Sequence, residues 1–255
     1  MRLGDSQTPR EGANDGDHRP EWQVIPISEH IAEIVSDSGE GAQKAGQSFG
    51  TLSAKMGNGV WTVEIIPAEI QPPQRSRAGA SGIRIRLGTE KITNMGDTAD
   101  LVVAFNEQVL YNRIDQGAFR KGTTVLLENK WANSSMPEIR EAYAAALEDF
   151  KQFGLDVREI PMEEECLKIT ENPSPGKNMW VLGLLCFLYQ RDLQKAEAQI
   201  AAIFRKKGDK VIQMNHALLH AGHDWAAANL GFYFDLPTKM SDQPLVVSNG
   251  NEAIG

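Results

Sequence analysis

"DLVVAFNEQVLYNRIDQGAFRKGTTVLLE" (Asp100–Glu128) begins and ends on short, almost wholly apolar runs, Asp100–Phe105 and Thr123–Glu128. A strand with one solvated face alternates apolar and polar residues, whereas a parallel strand covered on both faces does not. Between the two runs lies a helical stretch that starts at Asn106 and is closed by Gly117. Strand, helix and strand in that order predict a crossover between parallel neighbours.

Working outward, the same alternation continues. Downstream, Pro137 at a first helical turn opens "PEIREAYAAALEDFKQFG", rich in Ala, Glu and Lys and ended by Gly154, which predicts a helix. A strand follows at Val157–Ile160, and three helices, Asn178–Tyr189, Leu193–Lys207 and Asp209–Leu230, close the unit. Upstream, a strand at Ile31–Ser36 leads through the glycine-bearing turn Asp37–Gly41 into a helix over Gln43–Met56, stopped by Gly57-Asn58-Gly59. Strands at Val60–Ile66 and Ile83–Leu87 come next, the second alternating Ile83, Ile85 and Leu87 with Arg84 and Arg86; its period of two predicts both arginines on an exposed face. The fold class is α/β: a mostly parallel sheet with flanking helices in a three-layer, Rossmann-like arrangement.

Met1–Glu21 is polar, with almost nothing apolar to offset its ordering entropy, and predicts a disordered tail. We take the tail as 1–28, one domain as 29–230, a linker as 231–247 and a new element begun at 248–255. A boundary near residue 231 is read from the two prolines and weak periodicity beyond it.

At 255 residues and 41% apolar content the chain can bury a substantial core. A formal charge of −8 argues against nucleic-acid binding, which needs a basic face. The longest apolar run, Met179–Tyr189, is far short of the ~20 residues of a membrane span, and no apolar leader precedes the domain. A cytoplasmic protein is expected. The two cysteines, Cys166 and Cys186, lie twenty positions apart and cannot by themselves hold an iron–sulfur cluster or structural zinc.

Candidate chemistry is local. The turn "DSGEGAQKAG" (Asp37–Gly46) follows a strand and opens a helix, where backbone N–H groups favour phosphate or carboxylate. Two phosphate fingerprints fail there by one residue each. A dinucleotide motif from Gly39-x-Gly41 wants glycine where Lys44 stands, and a P-loop from Gly41 wants lysine where Gln47 stands. A tight turn with Lys44 on the surface is the competing reading. His216, His220 and His223 share a helix face, yet the outer two are about 10 Å apart along the axis, too far for one ion. Glu163-Glu164-Glu165 suits the start of a helix. Glu69, alone in a proline-bounded loop near Arg75, Arg77, Arg84 and Arg86, is read as paired or facing a ligand. No serine or cysteine has a base-and-orienter setting, so no catalytic residue and no metal ligand is assigned.

Taken together, "DSGEGAQKAGQ" (37–47), "PAEIQPPQRSRAGASGIRIRLG" (67–88), "DLVVAFNEQVL" (100–110), "LLENKW" (126–131) and "GKNMWVLGLLCFLYQR" (176–191) resemble the gamma-type domain of 2-oxoacid:acceptor (ferredoxin) oxidoreductases. The closing "SNGNEAIG" (248–255) resembles the opening of the pyrimidine-binding domain in their fused alpha subunits. The resemblance implies an enzyme that oxidatively decarboxylates a 2-oxoacid on thiamine diphosphate and Mg, passes electrons through [4Fe-4S] clusters to ferredoxin, and makes acyl-CoA. It also implies a hetero-oligomer with most of that apparatus outside this chain, the thiamine chemistry lying between the pyrimidine-binding domain and a thiamine-binding beta subunit. This domain would then serve assembly and the positioning of coenzyme A. The expected coenzyme-contacting residues are Gly39, Gly41, Glu69, Arg75, Arg77, Gly79, Ser81, Lys177 and Asn178, with the arginine loop either a docking surface or a phosphate-facing rim. A non-catalytic assembly module is the alternative, and an NAD dehydrogenase a weaker third.

Overall fold

The structure, a computed structural model, describes residues 22–69 and 73–239. In chain order these form β1 (Gln23–Pro26), β2 (Glu29–Ser36), α1 (Ala42–Lys55), β3 (Gly59–Ile65), β4 (Ser81–Gly88), β5 (Ala99–Ala104), α2 (Gln108–Asp115), β6 (Phe119–Glu128), α3 (Pro137–Phe153), β7 (Asp156–Ile160), α4 (Met162–Leu167), α5 (Lys177–Leu188), α6 (Leu193–Phe204), α7 (Asp209–Asn229) and β8 (Phe232–Asp235). The predicted crossover is present: β5 and β6 pair in parallel, Val102 opposite Val125, with α2 between them in sequence.

The main sheet has the order β3-β4-β2-β5-β6-β7. Only β4 runs against the others, since it is antiparallel to both β2 and β3 while β2, β5, β6 and β7 pair in parallel. Its two faces bury separate cores. One holds α1, α5 and the outer helices around Phe49, Ile85, Trp180 and Leu184. The other holds α2 and α3 around Val102, Val125, Tyr143 and Phe150. Helix α3 ends as predicted, on Gly154 at φ 97°, whose N–H reaches back to Phe150 and Lys151.

Helix α5 is buried along its whole length, the state expected of a helix that is apolar all round. It crosses α7 at two glycines: a Cβ on Gly183 would overlap the Leu219 carbonyl oxygen, and one on Gly222 would overlap that of Trp180. That backbone-to-backbone approach admits no side chain at either position.

Two readings need correction. Arg84 is buried, because β4 lies inside the sheet rather than along its rim. Its Nε donates to Glu33 Oε1 at 2.7 Å and its guanidinium also donates to the carbonyls of Gly96 and Asp97. Arg113 binds the same carboxylate from the other side, Nε to Oε2 at 2.9 Å. A buried Glu33 on β2 therefore supplies the counter-charge that period-two reasoning cannot see, and Arg86 is likewise paired, with Glu29. The second correction concerns the ends. Gln23–Pro26, within the stretch read as tail, pairs in parallel with Phe232–Asp235, within the stretch read as linker. Phe232, Phe234 and Leu236 are buried against the core, so apolar contact extends the folded unit beyond residue 230. The readings for residues 1–21 and 248–255 lie outside the described residues. No helix among those described is long and apolar enough to cross a membrane.

Candidate functional site

After β2 the chain turns to α1 on one face of the sheet, and after β5 it turns to α2 on the other. In open α/β sheets such a reversal leaves a crevice beyond the carboxyl ends of the strands. Here the crevice is bounded by the turn Asp37–Gly41, the segment around Arg75, the starts of α2 and α5, and the ends of β6 and β7.

The turn is built on left-handed glycines, Gly39 at φ 88° and Gly41 at φ 93°. Gly41 caps α1, which has neither a side-chain cap nor an acid in its first turn, so its leading N–H groups have no side-chain acceptor. Gly41 also lies against Asn178: a Cβ there would sit 3.3 Å from the Asn178 Cβ. Asn178 is nearly fully buried, and its Oδ1 has no partner. Helix α5 likewise starts without a side-chain cap or an acid. Two uncapped helix starts thus meet at one buried amide.

Beside them is a buried charge cluster. Lys177, with no exposed surface, sits with Nζ 2.8 Å from Glu163 Oε2, and Lys130 pairs with the same oxygen at 2.8 Å. Burial opposes the Lys177 ammonium, but Glu163, Glu40 and Glu128 outweigh it and hold its pKa above the ordinary value. Glu128 is also fully buried; its two oxygens accept the backbone N–H groups of Lys130 (3.0 Å) and Glu163 (2.8 Å). Burial nevertheless lifts its carboxyl to about 6, against the opposing pull of Lys177 and those two donors. Glu40 is raised too, first by burial and then by Asp37, although Lys177 opposes the shift. Glu163 is lowered: burial works the other way, but the hydrogen bonds and charges of Lys130 and Lys177 prevail.

Arg75 has left-handed backbone at φ 58°. Its N–H donates to Asp37 Oδ2 at 3.0 Å, its guanidinium forks onto Glu107, and it stacks 4.2 Å over Trp131. Those contacts tie the arginine loop to the crevice floor and leave the fork engaged by protein groups. Arg77 is exposed and lies 4.2 Å over the Tyr111 ring. Gly79 is buried in a one-turn 3-10 helix, and Ser81 pairs opposite Ser36 at the same end of the sheet. Glu69 is exposed and makes no ion pair with another described residue. The structure therefore gathers Gly39, Gly41, Arg75, Ser81, Lys177 and Asn178 around the crevice. Of the eight buried polar side-chain atoms that meet no hydrogen-bond geometry among the described residues, four belong to Asp37, Ser76, Trp131 and Asn178, and a fifth, Lys177 Nζ, is held instead by its ion pair with Glu163.

Sequence reasoning missed one further feature. A groove of about 940 Å³ runs between α1 and α6 and opens at Asn178. Lys44 and Lys55 stand at the two ends of α1, and Lys195 and Lys207 at the two ends of the α6 side. Gln199 Nε2 donates to the Ser48 carbonyl, and the Asp192 N–H reaches Met56 Sδ, so α6 runs antiparallel to α1. The lysines consequently form two pairs, Lys44 with Lys207 and Lys55 with Lys195, flanking a floor of Met179, Ala198, Ala202 and Ile203. Lys195 is paired with Asp192 at 3.2 Å, while no acid stands among the residues that line the groove itself. Only the pairing of α1 with a helix about 150 residues later creates this field, which is why no local motif announces it.

The remaining candidates have structural partners. His216 and His220 both bond Glu197, at its carbonyl and its Oε1, and His223 contacts Asp224. Cys166 and Cys186 are buried, and burial pushes both thiols up to about 12, so neither presents a thiolate.

The family model of pyruvate ferredoxin/flavodoxin oxidoreductase matches residues 33–225. The 2-oxoglutarate oxidoreductase subunit KorA of Mycobacterium tuberculosis is 26% identical over 233 residues, covering 87% of this chain and 35% of that protein. The chain thus spans about a third of that relative's length. Its fold matches a 2-oxoglutarate:ferredoxin oxidoreductase of Magnetococcus marinus, solved with 2-oxoglutarate, coenzyme A and succinyl-CoA bound, at a TM-score of 0.70 and 24% identity, covering 89% of this chain and 36% of that one. The pyruvate oxidoreductase subunit PORC of Thermotoga maritima matches at a TM-score of 0.54 and 18% identity, covering 78% of this chain and 97% of that one.

Proposed function

The chain belongs to the pyruvate ferredoxin/flavodoxin oxidoreductase family, and from that premise we propose that it is the gamma-type domain of a 2-oxoacid:ferredoxin oxidoreductase, where it positions coenzyme A and docks the thiamine-binding beta subunit. The assembly would convert a 2-oxoacid, coenzyme A and oxidised ferredoxin into acyl-CoA, carbon dioxide and reduced ferredoxin. The observation that carries the coenzyme reading is the lysine-flanked groove that opens onto the uncapped start of α1 at Asn178. Coenzyme A combines phosphate groups with a long, less polar arm. Paired cations at the groove ends suit the first, and the apolar floor suits the second. The buried ammonium of Lys177 is neutralised by Glu163, Glu128 and Glu40, so its part is to hold the crevice together rather than to meet phosphate.

Thiamine diphosphate, when bound, supplies the carbanion chemistry of decarboxylation, and in this reading it would lie with its Mg elsewhere in the complex, between the pyrimidine-binding domain and the beta subunit. The [4Fe-4S] clusters are assigned outside the described residues, whose two thiols are buried and protonated. What suggests the assembly role is a difference in length: the chain matches about a third of KorA in sequence and of the Magnetococcus chain in fold, and nearly all of the shorter PORC subunit. In this reading, a unit that occurs in both settings would carry a surface that docks the remainder.

The test is kinetic and uses the assembled oxidoreductase. Lys44→Glu combined with Lys207→Glu is expected to raise the KM for coenzyme A tenfold or more while the KM for the 2-oxoacid holds. An unchanged KM for coenzyme A would overturn the groove assignment.

A further inference from the structure

The two edges of the main sheet are treated differently. At one end, β7 is five residues long and carries Asp156, Arg158 and Glu159, the charged, short edge by which proteins discourage strand addition. At the other, β3 reads Gly-Val-Trp-Thr-Val-Glu-Ile, with a single charge, no proline and no lysine, and its outer edge pairs with no strand among the described residues. Among the described residues, a strand of high β-propensity is thus unpaired along its outer edge.

One face of β3 is also incompletely covered. Val60 and Thr62 lie against α1 at Gly50, while Trp61, Val63 and Ile65 point to the opposite face. On that face α2 and α3 cover β2, β5 and β6, but beside β3 a hollow of about 510 Å³ remains, lined by apolar Val63, Ile65 and Met95 toward β3 and by Arg84, Asp97 and Arg113 on its inner side. Trp61 is 43% exposed, Met95 50% and Ile66 74%. Trp61 thus exposes apolar surface on the strand whose outer edge is unpaired among the described residues, with Ile66 just past its end and Met95 across the hollow.

We propose that β3 is a self-pairing strand, and that two copies of this chain join edge to edge through it, antiparallel about a two-fold axis at Thr62. The sequence is self-complementary in that register. Thr62 faces Thr62, Trp61 faces Val63 from either side, Val60 faces Glu64, and Gly59 faces Ile65. Both aromatic-to-β-branched pairs are of the favourable kind, and no like charges stand opposite each other. The two Trp61 and two Val63 side chains then form one apolar row on the face the helices leave bare. A two-fold contact of this sort closes on itself and leaves the charged β7 edges outward, so the joined sheet does not extend further.

The experiment uses the 255-residue chain and two independent readouts. Sedimentation equilibrium is expected to show a dimer at micromolar concentration, and Trp61→Lys with Val63→Lys is expected to shift it to monomer with unchanged circular dichroism. Thr62→Cys should cross-link into a disulfide-bonded dimer under mild oxidation, since residues facing each other across an antiparallel pair are about 5 Å apart at Cα, within disulfide range. Val60→Cys should not, because in this register the two copies of residue 60 are offset by four positions, about 13 Å. The native cysteines are buried and do not compete. A chain that is monomeric throughout, including one that pairs only with a different polypeptide, overturns the proposal. So does cross-linking of Val60→Cys as readily as Thr62→Cys.

Discussion

Replacing Glu128 with glutamine should abolish a specific component of the pH dependence of folding stability. Glu128 is fully buried at the end of β6, and burial lifts its carboxyl from 4.5 to about 6. In the unfolded chain it ionises near its ordinary value, so between pH 4.5 and 6 the folded state holds a proton that the unfolded state has lost. The folded state binds more protons in that window, and stability must therefore fall as the pH rises through it. A displacement of about 1.5 units at about 1.36 kcal/mol each gives a loss of about 2 kcal/mol, complete above pH 6 and absent below 4.5. Glu40, also raised, acts in the same direction, and Glu163, lowered, in the opposite one. A single stability curve mixes the three. The difference between wild type and Glu128→Gln separates them, because Glu40 and Glu163 contribute to both proteins. Urea unfolding at half-unit steps from pH 4 to 8 should give a difference that declines by about 2 kcal/mol between 4.5 and 6 and is flat on either side. The variant also carries a constant penalty for placing an amide where two backbone N–H groups need acceptors, but that term does not vary with pH. A difference independent of pH across the window would refute the claim that Glu128 is protonated on folding.

Other consequences can be checked more briefly. Glu33→Gln leaves Arg84 and Arg113 without their shared charge in the sheet interior, and urea unfolding at neutral pH should show a loss of about 3–5 kcal/mol. Gly183→Ala forces a methyl into the Leu219 carbonyl at the α5–α7 crossing and should cost about 3 kcal/mol, whereas Gly39→Ala, in open space at φ 88°, should cost only about 1–2 kcal/mol; parallel thermal melts of the two variants test the ranking. Cys166 and Cys186 should resist a thiol reagent at pH 8 in the native protein and react fully in denaturant, since both are buried with thiols held near 12.

The fold was largely legible because its signals are local. Two-sided burial makes Asp100–Phe105 and Thr123–Glu128 apolar throughout, and Pro137 and Gly154 mark helix ends by backbone chemistry alone. What escaped depends on partners far along the chain. Arg84 looks solvent-exposed until Glu33 and Arg113 are placed around it, and β1 and β8 are too short to announce themselves without each other, about 200 residues apart. The site divides along the same line. Gly39 and Gly41 are visible as a strand-to-helix turn, and Lys177-Asn178 as the start of an apolar helix. That Asn178 lies against Gly41, or that Lys177 is enclosed by carboxylates from three other segments, follows only from the sheet order.

This separation bears on why the turn at Asp37–Gly41 lacks a full phosphate fingerprint. In those motifs one loop supplies the turn, the close backbone approach and the counter-charge together. Here the functions are spread. The two glycines shape the turn, and the uncapped start of α1 supplies N–H donors. The cations stand on separate helices, Lys44 and Lys55 on α1 with Lys195 and Lys207 across the groove. Lys177, the cation closest to the crevice in sequence terms, is spent on Glu163, Glu128 and Glu40. A free lysine at the third-glycine position and a buried, neutralised one at the helix start are therefore not two halves of a degraded motif. In the proposed reading they divide two tasks, the first reaching an anion along the groove and the second binding β6, α4 and α5 into the rigid floor on which that groove opens.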